Sequence, residues 1–373
     1  MTEPEVCVIG GGPAGLAAAI ALRLAGASVI LFEASQPPVD KACGEGLMPN
    51  TGAALSELGV RIGANEGYPF RGIRFVDRGV NAAAGFRGSN GLGVRRTLLH
   101  RALADRAAAV GVELCWNAKG VEIVDAGVLF RSRLFRPVLI VGADGLHSRV
   151  RRKHEMDQEP SSLRYGFRRH FAIAPWSDYV EIYCHRQRQI YITPVSSQQI
   201  GVALLTANPH ERLADVLPLF PNLSERLRLA NMISSERGSP TVMRTLKRVT
   251  KPGLALVGDA SGSVDAITGE GIGLAVEQAI ALGHAFRVGD LEMYERAHRH
   301  ILAPSRLLGR TLLALSKSDS VQTAALRVAA RCPMLCDAIL AAYVRRRSSI
   351  NETAGMESTT VSLPNPERLN SQS

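Results

Sequence analysis

The sequence predicts an α/β fold with an inserted β-rich domain and a helical C-terminal region, and three observations carry this prediction. Short apolar runs that suit buried strands end at glycine-marked turns at three places along the chain. Between the second and third turns, apolar and polar residues alternate as they do in half-buried strands. After the third turn, apolar residues recur at helical spacing.

The first glycine turn lies inside a complete strand–turn–helix–strand unit, which is the fingerprint of a Rossmann-like dinucleotide-binding domain. The apolar run 5–9 leads into the turn, a helix is predicted over 13–25, and a second strand over 28–32 ends at Glu33. The turn itself reads Gly10-Gly11-Gly12-Pro13-Ala14-Gly15. Gly10 permits the turn, Gly12 lets the backbone approach a pyrophosphate, and Gly15 lets the helix pack on the strand. The helix N-terminus favours phosphate, and Glu33 is expected to accept hydrogen bonds from a ribose diol.

Two later turns each place an aspartate at the end of an apolar run. Run 139–141 leads into Gly142-Ala143-Asp144-Gly145, and run 254–257 leads into Gly258-Asp259-Ala260. Open α/β sheets bind ligands at the carboxyl ends of their strands. An NAD-linked domain needs only the first turn, whereas the longer FAD needs further contacts along its ribityl chain and ring. The three turns together therefore favour FAD.

With these turns in this order, residues 5–300 resemble the flavoprotein family of p-hydroxybenzoate hydroxylase and the geranylgeranyl reductases. The resemblance implies that Asp144 and Gly145 serve FAD and NAD(P)H together, with NAD(P)H as electron donor. It implies that Asp259 holds ribityl or ribose hydroxyls. Arg96 opens a helix predicted over 96–109 and is similar to an arginine of the family that contacts FAD phosphates. The neighbouring Arg95 is the alternative.

The loop Lys41-Ala42-Cys43-Gly44-Glu45-Gly46 is the first of two segments that bear on chemistry. The resemblance places this loop beside the flavin ring, with Gly44 approaching it and with Cys43 and Glu45 as candidate catalytic residues. The alternative is an ordinary glycine loop with a buried cysteine. A reactive Cys43 would need a lowered thiol pKa.

The second segment is 263–274, which follows the third turn and leads into a helix. In the resembled family this turn presents backbone N–H groups to the flavin edge where negative charge develops on reduction, a charge that a helix N-terminus stabilises. Gly269, Gly271 and Ile272 are the residues expected to bind the cofactor there. Asp265 stands near the place where the family commonly has a proline. A catalytic and a structural role for its carboxylate are both open.

Breaks and changes in the residue pattern along the chain predict the domain organisation. The β-rich insert is expected to form a separate sheet that covers the cofactor. The predicted units are a discontinuous FAD-binding domain (1–70, 92–162 and 245–300), a β-rich substrate domain (71–91 and 163–244), C-terminal helices (301–347) and a disordered tail (348–373).

Composition fits a globular enzyme of 373 residues, with 46% hydrophobic and 21% charged residues. No apolar run reaches the length of a bilayer-spanning helix, and the apolar start belongs to the fingerprint rather than to a signal peptide. The six cysteines form no CxxC pair and have no histidines at metal-binding spacing. We therefore expect reduced thiols, a cytoplasmic location and no metal site.

The net charge of +10 has three interpretations: a solvated surface, attraction of cofactor phosphates, or adhesion to an anionic membrane. Nucleic-acid binding is disfavoured because aromatic residues make up only 5% of the chain and no motif interleaves them with basic residues. The apolar positions of the C-terminal helices either pack on the flavin domain or contact a bilayer peripherally. The chain is expected to be a monomer or homodimer.

Three activities are compatible with the sequence. The first is NAD(P)H-dependent hydroxylation of a small hydrophobic or aromatic, polyketide or lipid-like substrate. The second, favoured by Thr268-Gly269-Glu270-Gly271, is reduction of double bonds in a prenyl or lipid chain, as in the geranylgeranyl reductases. The third is flavin binding without turnover. Halogenation is disfavoured because the two tryptophans, Trp116 and Trp176, do not form the paired motif of flavin halogenases.

Overall fold

The computed structural model describes residues 3–63, 65–125 and 127–353, with side chains described up to residue 344. Twenty strands are assigned in this part of the chain. In chain order they are β1 (Val6–Ile9), β2 (Val29–Phe32), β3 (Gly46–Leu47), β4 (Tyr68–Phe70), β5 (Gly72–Asp77), β6 (Val80–Gly85), β7 (Gly91–Gly93), β8 (Glu113–Cys115), β9 (Glu122–Val124), β10 (Gly127–Phe130), β11 (Arg133–Phe135), β12 (Leu139–Gly142), β13 (Ser162–Ala172), β14 (Val180–His185), β15 (Arg188–Ser196), β16 (Gln199–Thr206), β17 (Asn231–Met232), β18 (Arg237–Met243), β19 (Thr250–Lys251) and β20 (Leu254–Leu256).

Ten α-helices are assigned in the described part of the chain, and the last four of them follow the last strand. They are α1 (Pro13–Leu24), α2 (Pro49–Glu57), α3 (Arg96–Ala109), α4 (Arg149–Lys153), α5 (Leu213–Val216), α6 (Pro221–Leu227), α7 (Gly271–Val288), α8 (Leu291–Ser316), α9 (Asp319–Arg331) and α10 (Pro333–Thr353). The helices predicted from Pro13, Arg96 and the segment after Gly269 are all present.

A six-stranded sheet in the order β19-β20-β12-β1-β2-β8 forms the nucleotide-binding half. All of its pairs are parallel except β19 with β20. Helices α1, α3 and α7 pack together on this sheet, and Phe130 and Phe135 of the small sheet β9–β11 pack against Phe32, so the apolar strand residues are buried. The chain leaves β1 on one side towards β2, and β12 pairs with β1 on the other side. This reversal makes the carboxyl ends of β1 and β12 the expected ligand site of a doubly wound sheet.

A second, mostly antiparallel sheet is built from the predicted β-rich segments. Its order is β17-β13-β16-β15-β14-β5-β6, with β18 pairing with the long strand β13. One face of this sheet packs against α5 and α6 through Phe167, Ile190, Leu204, Leu213 and Leu223. The separate sheet expected from the alternating pattern is therefore present, and β5 and β6 join it from their place earlier in the chain. The domain boundaries stay a prediction.

The C-terminal region is helical, and its end differs from the expectation. Helix α10 continues to Thr353, so the predicted disorder from residue 348 is wrong for 348–353, while 354–373 lie outside the described residues. Leu302 on α8 is buried at 1% exposure, which fits packing on the flavin domain, but Leu307 is 66% exposed. No helix in the described ranges is long and apolar enough to cross a membrane.

Candidate cofactor and active site

A cavity of about 1150 Å³ lies between the two sheets, at the carboxyl ends of β1, β2, β12 and β20. Ligand pockets generally measure about 300–1,000 Å³, so this one suits an extended ligand together with a second molecule. All three glycine turns line one wall. The opposite wall comes from β13, β15, β16 and β18. The cavity thus joins the nucleotide-binding sheet to the inserted sheet.

The first turn has the geometry that its glycines predict. Gly10 has φ +109°, and a Cβ there would lie 2.4 Å from the oxygen of Ala143. A Cβ on Gly15 would lie 1.8 Å from the oxygen of Gly10, so only glycine lets α1 approach the turn. Gly12 differs from these two glycines. A Cβ added at Gly12 would meet no protein atom within 4 Å and would project into the cavity. The backbone is open to a ligand at this point.

Glu33 and His100 hold the first turn from behind. The Glu33 carboxylate accepts hydrogen bonds from the Gly11 and Ser35 amides at 2.7 and 2.8 Å, and it also lines the cavity. His100 is buried, and its Nε2 lies 2.8 Å from the Gly11 oxygen. Burial lowers the pKa of His100, which favours the neutral ring. Because a carbonyl only accepts, Nε2–H is the donor.

The middle turn presents Asp144 at the cavity wall. One oxygen, Oδ2, accepts hydrogen bonds from the Arg149 and Val150 amides at 2.6 and 3.3 Å. The other, Oδ1, is buried and has no hydrogen-bond partner among the described residues. Gly145 follows with φ +78° and an open side facing the cavity. An unpaired carboxylate oxygen is costly in a buried place, which is expected where a ligand supplies the donor.

A buried arginine, Arg151, connects the second and third turns. Arg151 is 1% exposed and pairs with Asp157 at 2.7 Å. Its guanidinium also donates to the carbonyl oxygens of Leu146 and Ala260 at 2.8 and 3.1 Å. A solvated surface therefore does not account for the charge of Arg151, whose partners include backbone oxygens far apart in sequence.

The third turn points the half-exposed Asp259 into the cavity, where Lys41 Nζ lies 3.5 Å from its Oδ2. Behind the turn, Gln278 Oε1 accepts from the Gly258 amide at 2.7 Å. The fully buried His298 lies 2.8 Å from Ser261 Oγ through its Nε2. Burial lowers the pKa of His298 to about 3. A neutral polar network therefore fixes the turn without adding charge beneath Asp259.

The loop around Cys43 lines the cavity and is held by Glu45, which is 3% exposed and has φ +59°. Glu45 Oε1 accepts from the Arg96 amide at the start of α3 at 2.9 Å, and Oε2 lies 2.6 Å from His170 Nε2. Cys43 Sγ is half-buried and accepts from the Glu45 amide at 3.4 Å. Glu45 therefore connects the loop to helix α3, which packs on the nucleotide-binding sheet, and to strand β13 of the inserted sheet.

Arg168 and His170, both on β13, complete a buried charge cluster behind this loop. Arg168 is 2% exposed, forms an ion pair with Asp40, and has its Nε 3.8 Å from Glu45 Oε1. Its Nη1 lies 3.2 Å from His170 Nδ1. Neither residue belongs to one of the motifs that predict the site from the sequence. The signal was available, since Arg164, Arg168 and His170 recur at even spacing on one face of a strand.

Asp265 is fully buried and borders the cavity. Its Oδ1 accepts from the Ile267 amide at 3.0 Å and from Arg164 Nη1 at 3.2 Å. Its Oδ2 has no hydrogen-bond partner among the residues that the structure describes. The protein therefore fixes Oδ1 of the carboxylate, whereas Oδ2 is available to a molecule in the cavity.

The turn after Asp265 leads into α7 at Gly271. Gly269 has φ +68°, and a Cβ on Gly269 or Gly271 would meet no atom within 4 Å. Both glycines and Ile272 line the cavity. Glu270, between them, is buried and accepts hydrogen bonds from Ser305 Oγ at 2.9 Å and from the Tyr343 hydroxyl. The turn is thus linked to helices α8 and α10.

The structure distinguishes between the two candidates for the phosphate contact, Arg96 and Arg95. Arg96 lines the cavity, and its Nε is buried without a hydrogen-bond partner in the described ranges. Arg95 instead directs its Nη2 to within 3.5 Å of His170 Nδ1. Taken together, every predicted site residue lines the cavity except Gly15, which packs behind the turn. No group of three or more metal-ligating side chains occurs within the described ranges.

Comparison with known proteins agrees with this geometry. A family model described as an FAD binding domain matches residues 3–288. A menaquinone reductase of Mycolicibacterium smegmatis is 25% identical over 324 residues, covering 79% of each chain. A 6-methylpretetramide 4-monooxygenase of Streptomyces rimosus is 28% identical over 319 residues, covering 74% of this chain and 73% of that one.

A solved structure extends the fold comparison to nearly the whole chain. The geranylgeranyl bacteriochlorophyll reductase-like protein of Thermoplasma acidophilum superimposes with a TM-score of 0.75 at 20% identity, covering 94% of this chain and 98% of that one. The predicted Rossmann-like fold with its inserted sheet and helical C-terminal region is confirmed. The resemblance noted from the three glycine turns is confirmed as well.

Proposed function

The chain belongs to the FAD binding domain family and is an FAD-dependent oxidoreductase, and from this premise we propose that it is an NAD(P)H-dependent monooxygenase. Its substrate is a small aromatic, polyketide or lipid-like molecule. The observation that carries the proposal is the single cavity that joins the three glycine turns to the wall of the inserted sheet. Such a cavity brings a redox cofactor and a substrate together in one enclosed space.

The chain's residues fit FAD at the first wall. Gly12 leaves room for the pyrophosphate, with Pro13 and Ala14 opening the helix N-terminus behind it. Glu33 accepts from the adenosine ribose, and Arg96, with its unpaired Nε, contacts the phosphates. Asp144 and Gly145 serve FAD and NAD(P)H, and Asp259 accepts from the flavin hydroxyls. Gly269, Gly271 and Ile272 present backbone to the flavin edge, with Gly44 on the opposite loop.

The second wall is where the substrate binds. It is apolar through Tyr191, Ala203 and Leu205, which suits an aromatic or aliphatic body. The unpaired Oδ2 of Asp265 is the polar group that orients a hydroxyl or takes up its proton. Glu45 is a positioning residue rather than a catalytic one, since both of its oxygens have protein partners. Cys43 contributes to the loop surface beside the ring.

Bound FAD supplies the transfer of electrons from NAD(P)H to oxygen, and this chain's residues bind, orient and exclude water. One substrate, one NAD(P)H, one proton and one O₂ give the hydroxylated product, NAD(P)⁺ and water. One oxygen atom enters the substrate and the other leaves as water. The buried wall keeps bulk water from the reacting atoms.

Reduction of a lipid-chain or quinone substrate is the second candidate. It is supported by the Thr268–Gly271 sequence and by the similarity to the menaquinone reductase. In that reaction two electrons and two protons are added to the substrate, and oxygen is not consumed. Both named relatives turn over substrate, which argues against flavin binding without turnover. For either activity we propose a cytoplasmic monomer or homodimer that reaches a membrane only peripherally.

Substrate-dependent oxygen uptake distinguishes the two activities. The holoenzyme is supplied with NADPH or NADH and a panel of phenols, aromatic polyketides, quinones and prenyl lipids, in air and under anaerobic conditions. We expect one substrate to stimulate NAD(P)H oxidation with one O₂ consumed per NAD(P)H, and ¹⁸O₂ to label the product once. Anaerobic turnover that adds two hydrogens, with no label in air, contradicts hydroxylation and assigns a reductase.

A further inference from the structure

Helices α9 and α10 contact each other, and each has apolar residues that the described residues leave exposed. On α9 the exposed positions recur at helical spacing and include Val321 and Val328. On α10 the exposed side is apolar from its first turn, with Met334 at 80% and Ile339 at 61% exposure. We call this the α9–α10 face; its apolar residues are Val321, Ala324, Val328, Met334, Leu335, Ala338, Ile339 and Ala342.

The charges around this face all have one sign. Arg327 and Arg331 lie on the exposed side of α9, next to Val328. The two acidic residues between 319 and 344 turn towards the protein instead. Asp319 pairs with Arg78 at 2.7 Å, and Asp337 accepts from the Gly85 amide at 2.7 Å. An apolar surface flanked by arginines alone is thus presented to the surroundings.

We propose that the α9–α10 face binds an anionic lipid bilayer, with both helices lying along the surface. Apolar side chains enter the boundary between head groups and acyl chains, as in interfacial amphipathic helices. The arginine stems lie over apolar surface while their guanidiniums reach lipid phosphates. Within the residues that the structure describes, neither helix is long and apolar enough to cross the bilayer, and the proposed contact is with its surface.

Charge decides between a bilayer and a second copy of this chain. In a two-fold dimer through this face, Arg327 and Arg331 of both copies would face each other without an acidic partner on the same face. Like charges brought together in this way oppose association. An anionic bilayer provides the opposite charge over its whole area, which matches a face that has arginines and no carboxylates.

Helix α10, which carries part of this face, is hydrogen-bonded to the turn that lines the cavity. Tyr343 on α10 donates to Glu270, and Glu270 lies in the cavity turn between Gly269 and Gly271. Ser305 on α8 donates to the same Glu270 oxygen at 2.9 Å. A bilayer contact therefore places at the membrane a helix that is hydrogen-bonded to the cavity turn. The relevance of this link to the reaction rests on the proposed lipid-like substrate, whereas the contact itself does not.

Vesicle co-sedimentation tests the contact without turnover. Holoenzyme is mixed with vesicles of phosphatidylcholine alone or of phosphatidylcholine with phosphatidylglycerol, at about 50 mM and about 500 mM salt, because salt screens head-group attraction. We expect pelleting with the anionic vesicles at low salt. The double variant Met334→Glu/Ile339→Glu is expected to lower the partition coefficient roughly tenfold or more, since two exposed apolar side chains that would enter the bilayer are lost. Arg327→Glu/Arg331→Glu is expected to abolish the preference for anionic lipid.

Matched controls keep the result specific to this face. Val138 and Leu229 are exposed apolar residues elsewhere, at 71% and 80% exposure, so Val138→Glu/Leu229→Glu makes the same change outside the face. Arg61→Glu/Arg136→Glu repeats the charge change at other exposed arginines. Unchanged FAD content shows that each variant is folded. Absence of pelleting by the wild type, or equal losses in the controls, overturns the proposal. A dimer that only Met334→Glu/Ile339→Glu dissociates assigns the face to self-association instead.

Discussion

The Nε2 of His170 lies 2.6 Å from a carboxylate oxygen of Glu45, and both side chains are buried, at 0% and 3% exposure. The pair joins a strand of the inserted sheet to the loop beside the cavity. Arg168 and the amide of Arg96 contact the same carboxylate at 3.8 and 2.9 Å. Glu45 is therefore the residue that fixes the position of the cavity loop relative to α3 and to the inserted sheet.

Removal of the Glu45 carboxylate leaves His170 without its partner at Nε2 and breaks one of the two carboxylate pairs of the buried Arg168, which keeps Asp40. Breaking a buried ion pair from one side typically costs about 3–5 kcal/mol. We expect Glu45→Ala to lower the free energy of unfolding of the apoprotein by about that amount, measured by urea titration. Glu225→Ala is the control, since its pair with Arg228 is exposed and is expected to be worth less than about 1 kcal/mol. Equal small losses for both variants argue against the holding role.

Asp259 offers a test of cofactor binding that does not disturb the fold. Its side chain is half-exposed, with Lys41 as an ion-pair partner at 3.5 Å. If the carboxylate accepts flavin hydroxyls, Asp259→Ala removes a charge-assisted hydrogen bond and weakens FAD roughly 10–100-fold. Fluorescence titration of apoprotein with FAD measures the change. Lys41→Ala is the control for loss of the ion pair alone, and an unaltered Kd in Asp259→Ala rules out the contact.

Asp265 offers the most direct test of the chemistry at the site. Asp265→Asn keeps the acceptor for Arg164 and the Ile267 amide but removes the charge at the unpaired oxygen. We expect normal FAD content and a fall in kcat of roughly 10²–10⁴, the usual contribution of a positioned acid or base. Asp77→Asn, at a buried carboxylate outside the cavity, is expected to leave kcat unchanged. Wild-type turnover in Asp265→Asn assigns its carboxylate a structural role.

His298 makes stability depend on pH in a defined window. Burial lowers its pKa to about 3 in the folded protein, whereas the unfolded chain has the ordinary value of 6.5. Between these values the unfolded state binds the extra proton, so stability falls as pH drops from about 6.5 towards 3, by about 1.4 kcal/mol per pH unit. We expect His298→Gln to show a shallower fall, measured by urea unfolding at pH 7, 5.5 and 4. Parallel curves for the two proteins contradict this assignment.

The sequence predicts the residues whose role depends on local backbone geometry. Gly10, Gly12 and Gly15 act within one strand–turn–helix unit, so the motif itself specifies where each of them lies. The same holds for the helix after Gly269, whose start the glycines mark. Strand alternation likewise predicts the inserted sheet, because it depends on neighbours two residues apart.

The residues that the sequence analysis missed act through partners distant in the chain. Arg151 appears within a run of basic residues, which usually indicates a solvated face, yet its side chain bridges two turns more than a hundred residues apart. Arg168 and His170 meet Glu45 only because two sheets face each other across the cavity. The exposed face of α10 also depends on which side the rest of the chain covers. These contacts and exposures depend on tertiary packing, which the local sequence pattern does not specify.

The central claim is that the cavity at the three glycine turns binds FAD, and Gly12→Val tests it most directly. Gly12 and Gly52 both have open space where a Cβ would stand, but only Gly12 faces the cavity. The backbone of Gly12, at φ −70° and ψ 178°, accommodates valine without strain. FAD per chain is measured by absorbance and by release of the cofactor from purified wild type, Gly12→Val and Gly52→Val. We predict FAD in the wild type and Gly52→Val but folded apoprotein for Gly12→Val; wild-type FAD content in Gly12→Val would contradict the claim.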